Sequence, residues 1–208
     1  MKTRIFASLA AAGLLLGACS SGDSGDAGDA AAQPSASAPS QAAATASTSN
    51  VLAEHGLADL STKELIEKLD ALPVAERPTD FMASVRPDHL LIADASGVET
   101  ELPIEEDSFY LSFNPYVKTT HECYFHSLTT CRGELANKAI HVTITDNASG
   151  EVLVDEDATT YDNGFYGVWL PKGIEATLTV TTDGLSGTAV VSTKNADDLT
   201  CLATLQLS

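Results

Sequence analysis

The sequence predicts an α+β protein: a small N-terminal helix-plus-sheet part followed by an antiparallel β-sandwich of immunoglobulin-like shape. Three observations carry that expectation. One helix is announced by its own cap and apolar stripe, many short apolar runs alternate with turn residues, and no long helical pattern follows them. The predicted organisation is a signal at 1–19, a tether at 20–50, an α+β part at 51–118 and a β-sandwich at 119–208.

Lys2 and Arg4 precede the apolar run Ile5 to Leu16, which ends at Leu16-Gly17-Ala18-Cys19. This is the three-part form of a secretory signal. A small-residue site closing on Cys resembles the lipobox of bacterial lipoproteins, so Cys19 is the expected lipidation residue and the first residue of the mature chain. An ordinary cleaved signal and an uncleaved anchor are the alternatives, and the run is short for a bilayer, which needs ~20 residues. Residues 20–50 hold Ser, Ala, Gly, Pro and Asp with no large apolar side chain. Such a tract buries too little surface to fold and reads as a flexible tether.

A helix is expected from Ser61. Ser61 and Glu64 stand at capping-box spacing, and Leu60 with Leu65 at the spacing of a hydrophobic staple. Leu65, Ile66, Leu69 and Leu72 form the apolar stripe, and Pro73 ends it. Upstream, Val51 to His55 reads as a short helical turn capped by Gly56. Strands are then expected at 81–86, 89–93, 98–104 and 109–117, and in the second part at 139–145, 151–155, 165–170, 174–181, 188–193 and 199–207. Turn signals such as Asn163-Gly164 and Asp183-Gly184 separate them. Trp169, between Val168 and Leu170, reads as core packing.

Loss of the signal leaves 9 of the 11 basic residues against 29 acidic ones, a formal charge of −20. A nucleic-acid partner is thereby excluded. With Cys19 in the anchor, Cys123, Cys131 and Cys201 remain in a compartment where thiols oxidise, and three cannot all pair.

The segment His121-Glu122-Cys123-Tyr124-Phe125-His126-Ser127-Leu128-Thr129-Thr130-Cys131 places two imidazoles and two thiols within eleven residues. Thiolate with imidazole suits Cu(I) and Zn(II), whereas hard cations prefer oxygen. Seven residues separate the two cysteines, so the Cys-x-x-Cys of a thioredoxin-like pair is absent. A blue-copper set is also absent, since Met82, the one Met beyond the initiator, is distant in sequence. A structural Cys123–Cys131 disulfide remains open on spacing alone. Cys201, which shares a strand face with Leu199, Ala203 and Leu205, also reads as an inert core thiol. His141 falls on the polar face of its strand, and His55 and His89 lie outside any cluster.

The run from His121 to Asn137, followed by His141-Val142-Thr143-Ile144-Thr145-Asp146, closely resembles the CueP family of periplasmic copper-binding proteins. The likeness extends to Ser61 to Leu65, Arg77-Pro78-Thr79, Ala83 to Arg86, Asn163-Gly164-Phe165, Trp169-Leu170-Pro171 and Thr200 to Leu207, and so covers residues 52–207. It implies a copper-resistance protein of the cell envelope whose Cys123, Cys131 and Cys201 bind copper as Cu(I) or Cu(II), with His126 and then His121 as the next candidate ligands. It also implies reduction of Cu(II) by these cysteines; two thiols that supply the electrons end as a disulfide, so the expectation is a stoichiometric reductant or chaperone rather than a turnover enzyme. Zinc is the alternative metal. A thiol–disulfide exchange protein and a disulfide-stapled surface module are the competing classes. Expected partners are copper, the membrane through Cys19 and an extracytoplasmic copper enzyme; the sequence is compatible with a monomer or a homodimer.

Overall fold

A computed structural model describes residues 41–208, with side chains from residue 45 onward; the signal, Cys19 and the tether up to residue 40 lie outside the described residues. The described residues 41–208 form one compact unit. The two parts expected at 51–118 and 119–208 are thus not separate bodies.

The first helix, α1 (Gln41–Glu54), begins inside the tether expected to run to residue 50. Ala is the best helix former, and polar anchors replace the missing large side chains. Ser47 Oγ donates to Asp94 Oδ2 at 2.5 Å and Thr48 Oγ1 to Thr100 Oγ1 at 2.7 Å, while Leu52 is buried. The helix stops at Gly56, whose φ of +66° suits a left-handed cap. Gly56 N donates to Ala53 O and Leu57 N to Leu52 O, and Leu52 and Leu57 share one core cluster. The second helix, α2 (Thr62–Ala71), carries the expected capping box: Glu64 N donates to Ser61 Oγ at 3.3 Å and Ser61 N to Glu64 Oε2 at 2.9 Å. Among the described residues no helix is long and apolar enough to cross a membrane.

Strands β1 (Phe81–Val85), β2 (His89–Asp94) and β3 (Glu99–Pro103) make an antiparallel meander in the order β1-β2-β3. Their inward residues Phe81, Ala83, Val85, Leu90 and Ile92 pack with Leu65, Ile66 and Leu69 of α2. The sandwich follows from β4 (Ser108–Tyr116), β5 (Ala139–Asp146), β6 (Val152–Thr159), β7 (Tyr166–Pro171), β8 (Glu175–Thr182), β9 (Leu185–Ser192) and β10 (Cys201–Gln206). One sheet runs β10-β4-β7 and the other β6-β5-β8-β9. Between them lie Phe109, Leu111, Phe113, Ile140, Val142, Ile144, Leu178, Val180, Leu202 and Leu205.

Two features depart from the expectation of an antiparallel C-terminal sandwich. Strand β10 pairs with β4 in parallel. Strand β4, read as the end of the N-terminal part, is instead the central strand of a sandwich sheet. Alternation explains how it serves both parts. Phe109, Leu111 and Phe113 face the sandwich, whereas Tyr110 joins the helical core and Ser112 bonds to α2.

A register shift between Leu202 and Leu205 corrects the face assigned to Cys201. The bulge changes the phase of alternation. Leu202 and Leu205 both enter the sandwich core, while Cys201 and Ala203 pack beside Cys131 and Phe165. Trp169 is only partly buried. Its Nε1 donates to Glu67 Oε1 at 2.9 Å and its ring lies against Tyr110, so it clamps α2 onto β7.

Replacing Ser61 with Ala removes the cap and should lower stability by about 1 kcal/mol. Thermal unfolding should register this as a fall of about 2–4 °C in Tm; an unchanged Tm would mean that α2 does not depend on its cap.

Candidate metal centre

Residues 117–138 connect β4 to β5 without a helix or a named strand and are fixed by hydrogen bonds to what surrounds them. Val85 N donates to His126 O at 2.8 Å and Leu128 N to Ala83 O at 2.9 Å, which seats the segment along β1. Leu128, fully buried, anchors it in the helical core. At its start the amides of Val117, Lys118 and Thr119 all donate to Glu134 Oε2 at 2.8–3.1 Å. Thr200 Oγ1 donates to Val85 O and accepts from His126 N, while Thr200 N and Cys201 N both donate to Tyr124 O. Cys201 is thereby drawn to the same place as the loop cysteines.

Ser127 to Cys131 closes one helical turn. Cys131 N donates to Ser127 O at 3.1 Å, and Ser127 N donates back to Cys131 Sγ at 3.3 Å. All three cysteines are free thiols, with Cys123 Sγ 3.5 Å from Cys131 Sγ. Two sulfurs sharing one ion at metal–thiolate bonds of about 2.3 Å would lie about 3.8 Å apart at a tetrahedral angle. The observed spacing therefore suits a shared metal ion with little movement.

The ligand atoms form two overlapping groups, each with its atoms within 4.8 Å of one another: His121, Cys123 and Cys131, and His126, Cys131 and Cys201. Exposure falls from one to the other. Cys123 is half-buried, whereas His126 is 0 % and Cys201 1 % exposed.

Beneath the inner group sits Asp70, the last buried residue of α2. Its carboxylate accepts from His126 Nε2 at 2.9 Å, Tyr110 Oη at 2.8 Å, Ser112 Oγ at 3.1 Å and Asn163 Nδ2 at 3.0 Å. With Nε2 committed to Asp70, the nitrogen left for a metal is Nδ1, which has no hydrogen-bond partner. A carboxylate that orients a histidine from behind is the usual outer partner of a metal-binding imidazole. Arg77, also buried, donates from Nη1 to Cys131 O at 2.8 Å, and its Nη2 lies 4.0 Å from Asp70 Oδ1. Phe165 stacks on His126 with ring centroids 4.7 Å apart. Gly164 (φ +81°) lets the Asn163 turn close against Gly133, where a Cβ would come within 2.7 Å of backbone.

These neighbours set the charges. Burial opposes the His126 imidazolium, but the Asp70 carboxylate outweighs it and, with the Cys131 sulfur, raises His126 to about 9. Hydrogen bonds from the Cys123 and Cys201 thiols hold Cys131 well below an ordinary thiol, and His126 adds to this against the cost of burial. The same sharing raises its partners. Cys123 moves up to about 12 because its proton bonds to Cys131, and Cys201 moves up through Cys123 and Cys131. The centre thus favours negative charge on Cys131 over its two sulfur neighbours.

All five sequence-predicted site residues meet here, and His141 does not. It bonds Asp155 and Asp157 on the exposed face of β5 and β6. His55 pairs with Asp80, and His89 with Asp88. Sequence reasoning missed Asp70, Arg77 and Asn163 as functional neighbours. The readable signal was a carboxylate four residues after Ile66 on a helix whose facing positions are all apolar.

Fold and centre define an α+β protein with a thiolate–imidazole donor set suited to a soft or borderline metal ion. Residues 64–206 match the family model of the periplasmic copper-binding protein CueP. The chain belongs to that family, which is periplasmic and binds copper. It is similar to a crystal structure described as S.CueP, with 38% identity over 78% of this chain and 98% of that one and a TM-score of 0.72. No curated protein matches the chain.

Asp70→Asn should destabilise the reduced, metal-free protein by about 3–5 kcal/mol, because it leaves buried cations uncompensated. The raised His126 contributes stability fully below its ordinary 6.5 and loses it as pH rises through about 9; the lowered Asp70 contributes above its ordinary 3.8. Denaturation at several pH values should therefore show the widest gap between the two proteins at about pH 4–6.5, narrowing toward pH 9. A pH-independent gap would remove the ion pair from the account.

Proposed function

We propose that this chain is an extracytoplasmic protein that sequesters copper as Cu(I) through the thiolates of Cys123, Cys131 and Cys201, with His126 and His121 as imidazole donors. The observation that carries the reading is the convergence of three free thiols on a buried imidazole backed by Asp70. Thiolate and imidazole are soft enough for Cu(I), and the buried Arg77 beside Cys131 favours the negative charge that several thiolates bring.

The same thiols supply a reduction step. Cys123 and Cys131, 3.5 Å apart, would give one electron each to two Cu(II), forming one disulfide and releasing two protons and two Cu(I). The step consumes the thiols, so it is stoichiometric and stops until a reductant restores them. Release of Cu(I) to an extracytoplasmic copper enzyme follows from a centre whose outer edge reaches solvent. Zinc would occupy the same donors, and the family's copper binding favours copper. Membrane attachment through a lipidated Cys19 supports a local role near the membrane surface.

Anaerobic titration of the reduced protein with Cu(I) against a chromophoric chelator should show about one tightly held copper, with Cys131→Ser weakening it by at least about ten-fold. Failure to compete with the chelator would overturn the copper reading. In cells given a radiolabelled fatty acid, the protein should take up label and Cys19→Ser should not; equal labelling of both would exclude Cys19 as the anchor.

A further inference from the structure

The three thiols and two imidazoles do not form one five-ligand cage. His121 belongs only to the outer group and His126 only to the inner one, and Cys131 is common to both. The outer group opens to solvent through His121 and half-buried Cys123, while every inner ligand is buried. Phe165 neighbours both imidazoles, with its ring centroid 6.0 Å from His121 and 4.7 Å from His126. No single ion can therefore take both imidazoles in the geometry seen, and Cys131 is the pivot from which it reaches either.

From this arrangement we infer a two-position copper relay: an outer entry position at His121, Cys123 and Cys131, and an inner resting position at His126, Cys131 and Cys201. This deepens the proposed copper function and rests on it. The ion keeps its bond to Cys131 throughout. The bond to Cys123 breaks as that to Cys201 forms, and the bond to His121 breaks as that to His126 forms. Copper remains Cu(I), so no electron moves. Cys201 and His126 each give up a proton on binding copper; the released Cys123 thiolate takes up one and solvent the other. Copper is never free within the protein.

The relay makes His121 a gate rather than a holder. Loading and unloading follow the same path, so loss of His121 slows both and changes their ratio far less than loss of His126 does. Loss of His126 instead weakens the resting position itself. Cys123→Ser should slow loading and release as well.

The test is anaerobic stopped-flow of the full mature protein, mixing Cu(I)–bathocuproine disulfonate with His121→Gln, His126→Gln, Cys123→Ser and the parent, with equilibrium competition run in parallel. His121 is at the surface, so its variant should fold, and a parent-like Tm confirms this. The expected result is loading and release both slowed by about ten-fold or more in His121→Gln with Kd weakened far less than in His126→Gln, where Kd weakens by about ten-fold or more. A Kd weakened in His121→Gln as much as in His126→Gln makes His121 a ligand of the resting site and overturns the relay. So do unchanged rates. If the parent itself binds no Cu(I), the copper function fails as a whole; if it binds and only the His121 outcome fails, the relay alone falls.

Discussion

A carboxylate with no solvent contact has to be neutralised and hydrogen-bonded, and Asp70 satisfies that demand by pulling four distant segments to one point. Asp70 itself sits on α2, and its partners come from β4 through Tyr110 and Ser112, from the cysteine segment through His126, and from the β6–β7 turn through Asn163. Arg77 approaches from the connection after α2. A buried ion of this kind costs several kcal/mol to desolvate and yields little net stability unless every lone pair is used. What it supplies here is position. The same bonds that satisfy Asp70 fix the one imidazole that backs the thiols, so the docking of α2 and the shape of the metal centre are a single constraint.

The consequence reaches the sulfurs. Asp70 holds His126 as a cation, and that cation stands beside Cys131, which is the acceptor for both neighbouring thiols. Cys131 is thereby the sulfur on which negative charge is most favoured, and the thiolate is the form that binds metal. Binding copper must displace protons from Cys123 or Cys201, which couples affinity to pH. The cysteine segment needs no regular secondary structure to be ordered. Its polar backbone groups are taken up by β1, Thr200 and Glu134, which is how a loop can hold ligands with the precision of a sheet.

Much of this was legible in the chain because local chemistry governs it. The capping box at Ser61 and Glu64, the Gly56 cap, the alternating strands and the Cys/His density of 121–131 all act over a few residues. What stayed hidden depends on distant partners. The helix from Gln41 was hidden because its Ala, Ser and Thr residues look like linker, and only Asp94 and Thr100, some fifty residues on, give Ser47 and Thr48 their bonds. The face of Cys201 was misread because the shift between Leu202 and Leu205 leaves no mark on the apolar pattern. Strand β4 looked like the last strand of one part because its two-sided burial follows from the chain on both sides of it. Asp70 was visible as a charge on an apolar stripe, but its meaning required His126, 56 residues away.

The most direct test of the account is X-ray absorption at the copper edge on the anaerobically loaded protein. The account predicts a Cu(I) edge and a shell of at least two sulfurs at about 2.3 Å, with sulfur lost on Cys131→Ser. A shell of oxygen and nitrogen alone, unchanged by that substitution, would place copper elsewhere and contradict the thiolate centre.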